Sequence, residues 1–452
     1  MPHYHAYDKS GSLKTDVGTL TFDNLINDMN ALRNTGSALG IVDAAVTDIG
    51  NSTNGRPIPA LCIGKNPANR ILLVGCHHAR EWISVEIPYL VGKYLIDNYK
   101  DSANAVTKKE KTINHLVDNA EIWIVPMLNP DGHLKTMKSG KSMWRANANI
   151  VSFPVDTHID RVIESKPYHT GIYNDGSDDY DFKCYKFASA PGPKTRTERF
   201  TVAKGSYEGV DLNRNYAVPA GPPGSKSLPW GTETASTAKR KNRPSGAFYE
   251  LLGKTGVDKG VVLDTGWILT TAKSPEPPET FCGPSAGSET EVKRIEALLG
   301  KGNFKCIISY HNYSQLLLYP DDAAVHPGTQ FLGKGMRDLF KDQKTKYAYK
   351  SGGDLYATSG DSMEWAWRVH NVVNYTIELP PTDEDATAKH WAFNKLPESE
   401  IQATFESNLP VALCSINCAI ANFAPPAKPK GMSGMVMKAG PNCWEEFKGW
   451  KS

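Results

Sequence analysis

Four short apolar runs set the strongest limit on how this 452-residue chain can fold. They are RILLVGC (70–76), EIWIVPML (121–128), FKCIISYH (304–311) and VVNYTIEL (372–379). Their length and near-continuous apolar character are typical of strands that are buried on both faces. Segments with helical spacing occur among them: FDNLINDMNAL (22–32), SVEIPYLVGKYLIDNY (84–99) and SETEVKRIEALLG (288–300). The alternation predicts an α/β fold, in which helices cover both faces of a central β-sheet.

Two stretches, at about 148–208 and 217–283, lack this alternation. They are rich in Gly, Pro, Ser, Lys and Asp, and neither has the apolar periodicity that a core of its own requires. We therefore expect one domain over residues 21–424 with two long loop insertions. The polar residues 1–20 are interpreted as an N-terminal lead, and residues 425–452 as a Pro/Gly-rich C-terminal tail.

Charge and hydropathy exclude two classes of partner. The net charge is +2, and the short basic stretch KRKNR (239–243) is better explained as a solvated loop than as a nucleic-acid site. No apolar run reaches the roughly 18 residues of a membrane helix. The first twenty residues have no apolar signal region. Three locations stay open: the cytoplasm, export without a signal, or secretion if this is a mature form.

Metal-ligand residue types follow the first apolar run, in the sequence HHARE. His78 and Glu81 are three residues apart and His77 and Glu81 are four apart, so either histidine could share an ion with Glu81. A catalytic zinc needs three protein ligands and an open position for water. His311, at the end of another run, is a candidate third ligand, and Glu378, at the end of a further run, is a candidate base.

Six motifs occur in a fixed order along the chain. They are HAREW, NPDG followed by MWR, GVDLNRNY, GPSAGSE, HNYSQLLLYP and YATSGDSMEW. Together they closely resemble the zinc metallocarboxypeptidases of the pancreatic carboxypeptidase A/B type, over roughly residues 20–424. The resemblance implies a mixed central sheet and an exopeptidase with one zinc ion per chain. It implies His78, Glu81 and His311 as zinc ligands and gives His77 no such role.

The resemblance also implies roles for residues that surround the metal. Glu378 matches the general base, and Arg145 matches the arginine that polarises the scissile carbonyl. Arg80 matches an arginine that contacts substrate further from the scissile bond. Tyr356 matches a mobile tyrosine that closes over the substrate.

Asn213 and Arg214 match the pair that grips the substrate's free C-terminal carboxylate. An arginine offers a carboxylate two parallel donors, and the amide adds a third. The implied partners are therefore peptide or protein C-termini, and we expect the protein to act as a monomer.

The preferred C-terminal residue depends on three further positions. Met363 matches the residue at the base of the specificity pocket, which favours aromatic and aliphatic side chains. Asp361 and Asp322 either point to solvent or face the pocket, where they would attract a basic side chain. We expect a broad pocket that prefers aromatic residues, Leu or Met and accepts Lys and Arg.

Three functions from different classes fit these patterns. The first is an active zinc exopeptidase, which the complete set of ligands and base favours. The second is an inactive relative kept as a binding module. The third is an amidase acting on cell-wall peptides, whose substrate would also offer a terminal carboxylate.

Overall fold

The computed structural model describes most of the chain. The described residues are 2–15, 18–100, 112–138, 140–153, 157–174, 179–187, 195–202, 205–221, 227–228, 230, 247–252, 258–262, 268–269, 280–323, 326–342, 347–355, 358–389 and 393–423. For residues 153–207 and 231–279 only the strands and their pairing are described, without the side chains.

The four apolar runs form four adjacent strands of a seven-stranded central sheet. In spatial order the strands are Ala348–Ser351, Leu316–Tyr319, Val373–Leu379, Phe304–Asn312, Arg70–Gly75, Glu121–Val125 and Leu61–Ile63. The four predicted strands run parallel to one another. Leu316–Tyr319 and Leu61–Ile63 are antiparallel to their neighbours in that group, so the sheet is mixed as expected. The carboxyl ends of the parallel strands therefore meet at one edge.

Both faces of this sheet are covered, which explains why the predicted strands are apolar throughout. Ile71 and Leu73 belong to one core, and Leu72 and Val74 to the other. The first core also takes residues from helices Leu25–Ala38, Ile83–Asp97, Ile113–Asp118, Pro327–Asp342 and Ser399–Ile420. The second takes residues from Thr290–Leu299 and Ser362–His370. Among the described residues, no helix combines the length and apolar character needed to cross a membrane.

Further short elements complete the described fold. The remaining helices are Pro130–Thr136 and Asp383–Lys389, with 3-10 turns at Leu212–Arg214, Asp321–Ala323, Gly352–Asp354 and Phe393–Lys395. Strand Asp48–Asn51 pairs with Pro57–Pro59, and Ser227–Leu228 pairs with Thr358–Ser359.

The polar N-terminal residues are part of the folded structure. Strands Tyr4–Ala6, Gly11–Thr15 and Gly18–Asn24 form a small sheet, and Tyr4 and Ala6 are buried in the first core. The helix expected from residue 22 begins at Leu25, because the Asn24 side chain accepts a hydrogen bond from the N–H of Asn27 at 3.0 Å and caps it.

The two insertions differ from the expected loops, because both contain strands. Their shared six-stranded sheet has the order Thr195–Val202, Thr157–Asn174, Asp179–Phe187, Ala247–Leu252, Asp258–Val262 and Ile268–Leu269. Stretches such as THIDRVIE do contain several β-branched residues, which strands favour, a signal that the Gly, Pro and Lys content obscured. Strands Ile150–Phe153 and Gly205–Glu208 pair at the base of the first insertion. The expected tail at 425–452 lies outside the described residues.

Candidate active site

A tight turn at the end of strand Arg70–Gly75 places the HHARE residues at the carboxyl edge of the sheet. A side chain at Gly75 could not fit, because its Cβ would lie 2.0 Å from the carbonyl oxygen of Ser84. Cys76 then adopts a left-handed backbone conformation with φ 56°, which L residues with side chains rarely adopt. The N–H of Cys76 donates to Oγ of Ser84 at 3.0 Å. The turn therefore closes onto the start of helix Ile83–Asp97.

The three expected metal ligands lie close together at this turn. Nδ1 of His78 lies 2.7 Å from Oε1 of Glu81, and Nδ1 of His311 lies 3.0 Å from Oε2 of the same carboxylate. The two Nδ1 atoms are 3.1 Å apart. All three residues are buried, and their donor atoms lie within 4.8 Å of one another. The structure thus brings His78, Glu81 and His311 together, and His77 is not part of this group.

This cluster fits a catalytic zinc ion. Two imidazole nitrogens and one carboxylate are a ligand set that such ions use. A cation placed among these atoms would be bound by both ring nitrogens and the carboxylate at once. The Nε2 atom of His311 is buried and has no hydrogen-bond partner among the described residues.

Asp211, which the sequence reasoning missed, lies behind the cluster. Its Oδ1 is 3.2 Å from Nε2 of His78, and its Oδ2 accepts a hydrogen bond from Nε of Arg145 at 2.8 Å. Burial alone would raise the pKa of Asp211, but the charges of Arg145 and His78 hold it well below its usual value. A signal was available, because Asp211 stands two residues before Asn213 in GVDLNRNY, and metal-binding histidines commonly donate to such a carboxylate.

Glu378 lies beside the cluster on the neighbouring strand. In the parallel pairing of Phe304–Asn312 with Val373–Leu379, His311 stands opposite Glu378. Burial and the nearby charge of Glu81 raise the pKa of Glu378 well above its usual value, while Arg145 and Arg214 act in the opposite direction. A cation held by the cluster would also favour the ionised carboxylate.

The predicted substrate-binding arginines are all largely buried. Arg214 is 5% exposed and follows Asn213 in a 3-10 turn that Asp211 caps by accepting from the N–H of Asn213 at 2.9 Å. Oδ1 of Asn213 accepts from the N–H of Ser362 at 2.8 Å. Arg80 donates to the carbonyl of Met143 at 3.2 Å, and its guanidinium lies 4.0 Å from the centre of the Phe393 ring. Tyr356 lies outside the described residues.

A small cavity of about 20 Å³ lies in the second core, between the sheet and helix Ser362–His370. Met363 is one of the residues that line it. Most of its wall is apolar and comes from Leu72, Val74, Ile295, Leu299, Ile307 and Trp365. Among the described residues that line it, none is acidic.

Asp361 and Asp322 have other partners, so neither expected position, in the pocket or in solvent, describes them. Asp361 is buried and caps helix Ser362–His370: its Oδ1 accepts from the N–H of Glu364 and its Oδ2 from the hydroxyl of Thr358, both at 2.8 Å. Oδ2 of Asp322 accepts from Nε of Arg368 at 2.7 Å, and both side chains are buried. A carboxylate that caps a helix or pairs with arginine is not available to a basic substrate.

His77 is buried at the centre of the site. Its ring stacks on that of His311, with centres 5.2 Å apart and planes at 20°. Nε2 lies 3.0 Å from the hydroxyl of Tyr216, and Nδ1 lies 3.3 Å from Oγ of Ser309. Burial lowers the pKa of His77 well below its usual value, so the ring is neutral. Nothing in the sequence pattern pointed to Tyr216.

Residues 43–411 match the family model described as zinc carboxypeptidase. The chain belongs to the zinc carboxypeptidase family. The resemblance seen in the sequence is thereby confirmed, and the protein is by family a metallocarboxypeptidase, a metal-dependent hydrolase.

Two carboxypeptidases are each 24% identical in sequence to this chain. Carboxypeptidase O of Bos taurus is 24% identical over 377 residues, which cover 81% of this chain and 70% of that protein. Carboxypeptidase B of Homo sapiens is 24% identical over 369 residues, which cover 79% of this chain but only 61% of that protein. The chain thus spans less than two thirds of the human relative's length.

Two solved structures confirm the α/β fold. Carboxypeptidase A from Helicoverpa armigera matches with a TM-score of 0.52 and 18% identity, over 90% of this chain and 76% of its own. Thrombin-activatable fibrinolysis inhibitor matches with a TM-score of 0.53 and 20% identity, over 88% of this chain and 75% of its own.

Proposed function

We propose that the protein is a zinc-dependent exopeptidase that releases the C-terminal residue of peptides. One observation carries this proposal: the donor atoms of His78, Glu81 and His311 converge within 4.8 Å, and Glu378 stands opposite His311 on the next strand. This is a ligand set with a potential base beside it. We further propose one zinc ion per chain. All residues of the site come from one chain, so a monomer is sufficient.

Each side chain then has a chemical task. The zinc ion, when bound to His78, Glu81 and His311, supplies a Lewis acid and lowers the pKa of water. Glu378 accepts the proton of the water that attacks the last peptide carbonyl, and later delivers it to the leaving amine. Arg145 donates hydrogen bonds to the oxygen on which negative charge develops.

Selection of the chain end falls to Asn213 and Arg214. A guanidinium offers a carboxylate two parallel donors and a matching charge, so a free C-terminal carboxylate is the ligand that suits Arg214. We propose that Tyr356 closes over the bound residue and that Arg80, which is held against Phe393, borders the more distant part of the substrate.

For the departing residue we propose an aromatic or aliphatic side chain. Met363 supports this preference, because it is an apolar residue at the position that the family motif gives to the base of the specificity pocket. The acceptance of Lys and Arg loses its basis, because the carboxylates of Asp361 and Asp322 are engaged elsewhere.

The test compares two peptides that differ only at the C-terminus, one ending in a free carboxylate and the other in an amide. Zinc-loaded protein should release the last residue of the acid and leave the amide almost untouched, because the amide gives Arg214 no ionic partner. Mass spectrometry of the products gives the readout. Internal cleavage, or equal rates on both peptides, would refute the proposal.

A cell-wall peptide with the same terminal residue serves as a third substrate. Faster hydrolysis of it than of the linear peptide would establish the amidase alternative. The alternative of an inactive binding relative predicts zinc binding without release of amino acid from any of the three substrates.

A further inference from the structure

The two histidines of the metal cluster are held in different ways. His78 has an outer partner, since its Nε2 lies 3.2 Å from the carboxylate of Asp211. His311 has no such partner among the described residues, although its Nε2 is buried. Metal-binding histidines almost always have an outer hydrogen bond that fixes the plane of the ring. Some other contact must therefore orient His311.

That contact is the stacked ring of His77. The two imidazole planes are only 20° apart, with centres at 5.2 Å. His77 is itself fixed on both sides of its ring, by the hydroxyl of Tyr216 at 3.0 Å and by Oγ of Ser309 at 3.3 Å. The ring of His311 thus packs against the ring of His77, which two hydrogen bonds hold in place.

Tyr216 connects this ring to the part of the site that faces the substrate. It is fully buried and lies two residues after Arg214. Its N–H donates to the carbonyl of Gly360 at 3.0 Å. Its ring centre lies 5.1 Å from that of Trp365, on the helix that carries Met363.

We propose that His77 and Tyr216 are positioning residues, which hold the ring of His311 and fix its place relative to Arg214. This inference rests on the proposed function, because it assumes a metal ion at the cluster. The pair does not touch the reacting atoms. It sets the distance between His311, which would hold the metal ion, and Arg214, which would receive the chain end.

The experiment uses the full chain in three variants: Tyr216→Phe, His77→Phe and the double variant. Phenylalanine at either position retains a ring and removes the hydrogen bond between residues 77 and 216. The matched control is Tyr310→Phe, because Tyr310 is also fully buried, precedes His311, and has a hydroxyl without a hydrogen-bond partner among the described residues.

Each single variant should lower kcat/KM by about three- to tenfold, the range that corresponds to one buried hydrogen bond. The kcat/KM of the double variant should be no lower than that of the less active single variant, because both substitutions remove the hydrogen bond between residues 77 and 216. With Co²⁺ as the bound metal, both single variants should shift the visible absorption bands. The control should change neither property.

Two results would overturn the inference. One is a cobalt spectrum identical to that of the wild type in Tyr216→Phe and His77→Phe. The other is kinetic losses that add fully in the double variant, which would mean that the residues act separately. Wild-type protein that takes up neither Zn²⁺ nor Co²⁺ would instead contradict the proposed function.

Discussion

Oδ1 of Asp211 lies 3.2 Å from Nε2 of His78, while Nδ1 of the same ring faces Glu81. With a metal ion on Nδ1, the carboxylate of Asp211 would hold the proton of the ring on Nε2. Asp211→Asn removes the charge and retains the shape. We expect it to weaken zinc binding by about 10–100-fold, as measured by competition with a chelator.

Asp322→Asn is the control for that experiment. It removes another buried carboxylate, which is paired with Arg368 instead of a metal ligand. Zinc affinity should stay at the wild-type value. If both variants lose zinc equally, general destabilisation explains the loss and Asp211 has no specific role.

The two adjacent histidines should respond differently to removal. His78→Ala deletes a ligand and should lose most of the bound zinc, whereas His77→Ala should retain one zinc ion per chain. Elemental analysis after dialysis measures both. Equal metal content in the two variants would show that the ligand assignment is wrong.

Glu378→Gln should leave zinc content and substrate affinity close to wild type. The amide cannot accept a proton from water, so kcat should fall by at least about 100-fold, the lower range for a positioned acid–base group. Steady-state kinetics on a peptide with a C-terminal phenylalanine provides the measurement. Near wild-type turnover would remove Glu378 from the role of base.

Asp361→Ala tests whether this carboxylate acts on the substrate or on the fold. Because Asp361 caps helix Ser362–His370, the substitution should lower the free energy of unfolding by about 1 kcal/mol. The ratio of rates on substrates ending in Lys and Phe should not change. A selective loss of activity on the Lys substrate would show that Asp361 acts on the substrate's side chain.

His5, in the N-terminal sheet, contacts the carboxylates of Glu86 and Asp28, and its contribution to the free energy of unfolding should depend on pH. Nδ1 of His5 lies 2.6 Å from Oε2 of Glu86, and Nε2 lies 3.2 Å from Asp28. Burial alone would lower the pKa of His5, but the two carboxylates outweigh it and raise the pKa to about 10. The stabilisation should be complete below the unfolded-state pKa of about 6.5 and disappear as the pH rises through 10.

Denaturant unfolding of wild type and His5→Gln at pH 6, 8 and 10 tests this dependence. The difference in unfolding free energy should shrink steadily as the pH rises. Tyr7→Phe is the control, because the hydroxyl of Tyr7 donates to the carbonyl of Pro57 at 2.6 Å and its pKa is raised to about 12. Its effect should be nearly constant up to pH 10. A constant effect of His5→Gln would mean that the ring is neutral.

The sheet and the ligands were accessible from the sequence for one physical reason. Strands buried on both faces are apolar throughout, so a histidine or glutamate at the end of such a run stands out. His311 and Glu378 were found in this way. Assignment of roles to Arg145, Asn213 and Arg214 needed the family motifs, because isolated arginines and amides occur on most surfaces.

Other features depended on contacts that a single sequence does not display. His77 and Tyr216 are 139 residues apart and meet only in the folded chain. Asp361 was recoverable, since the Asp-x-x-Glu pattern before a helix is typical of a cap. It was missed because its place in the family motif suggested a pocket instead.

The ribbon formed by Ile150–Phe153 and Gly205–Glu208 has a consequence for how this chain can vary. It brings together the two points at which the first insertion leaves and rejoins the domain. Arg145 lies just before this ribbon and Asp211 just after it, and their side chains meet at 2.8 Å. The distance between Arg145 and Asp211 therefore does not depend on the length of chain that lies beyond the ribbon. Such an arrangement lets additions and deletions accumulate at one place without disturbing Arg145 and Asp211 on either side.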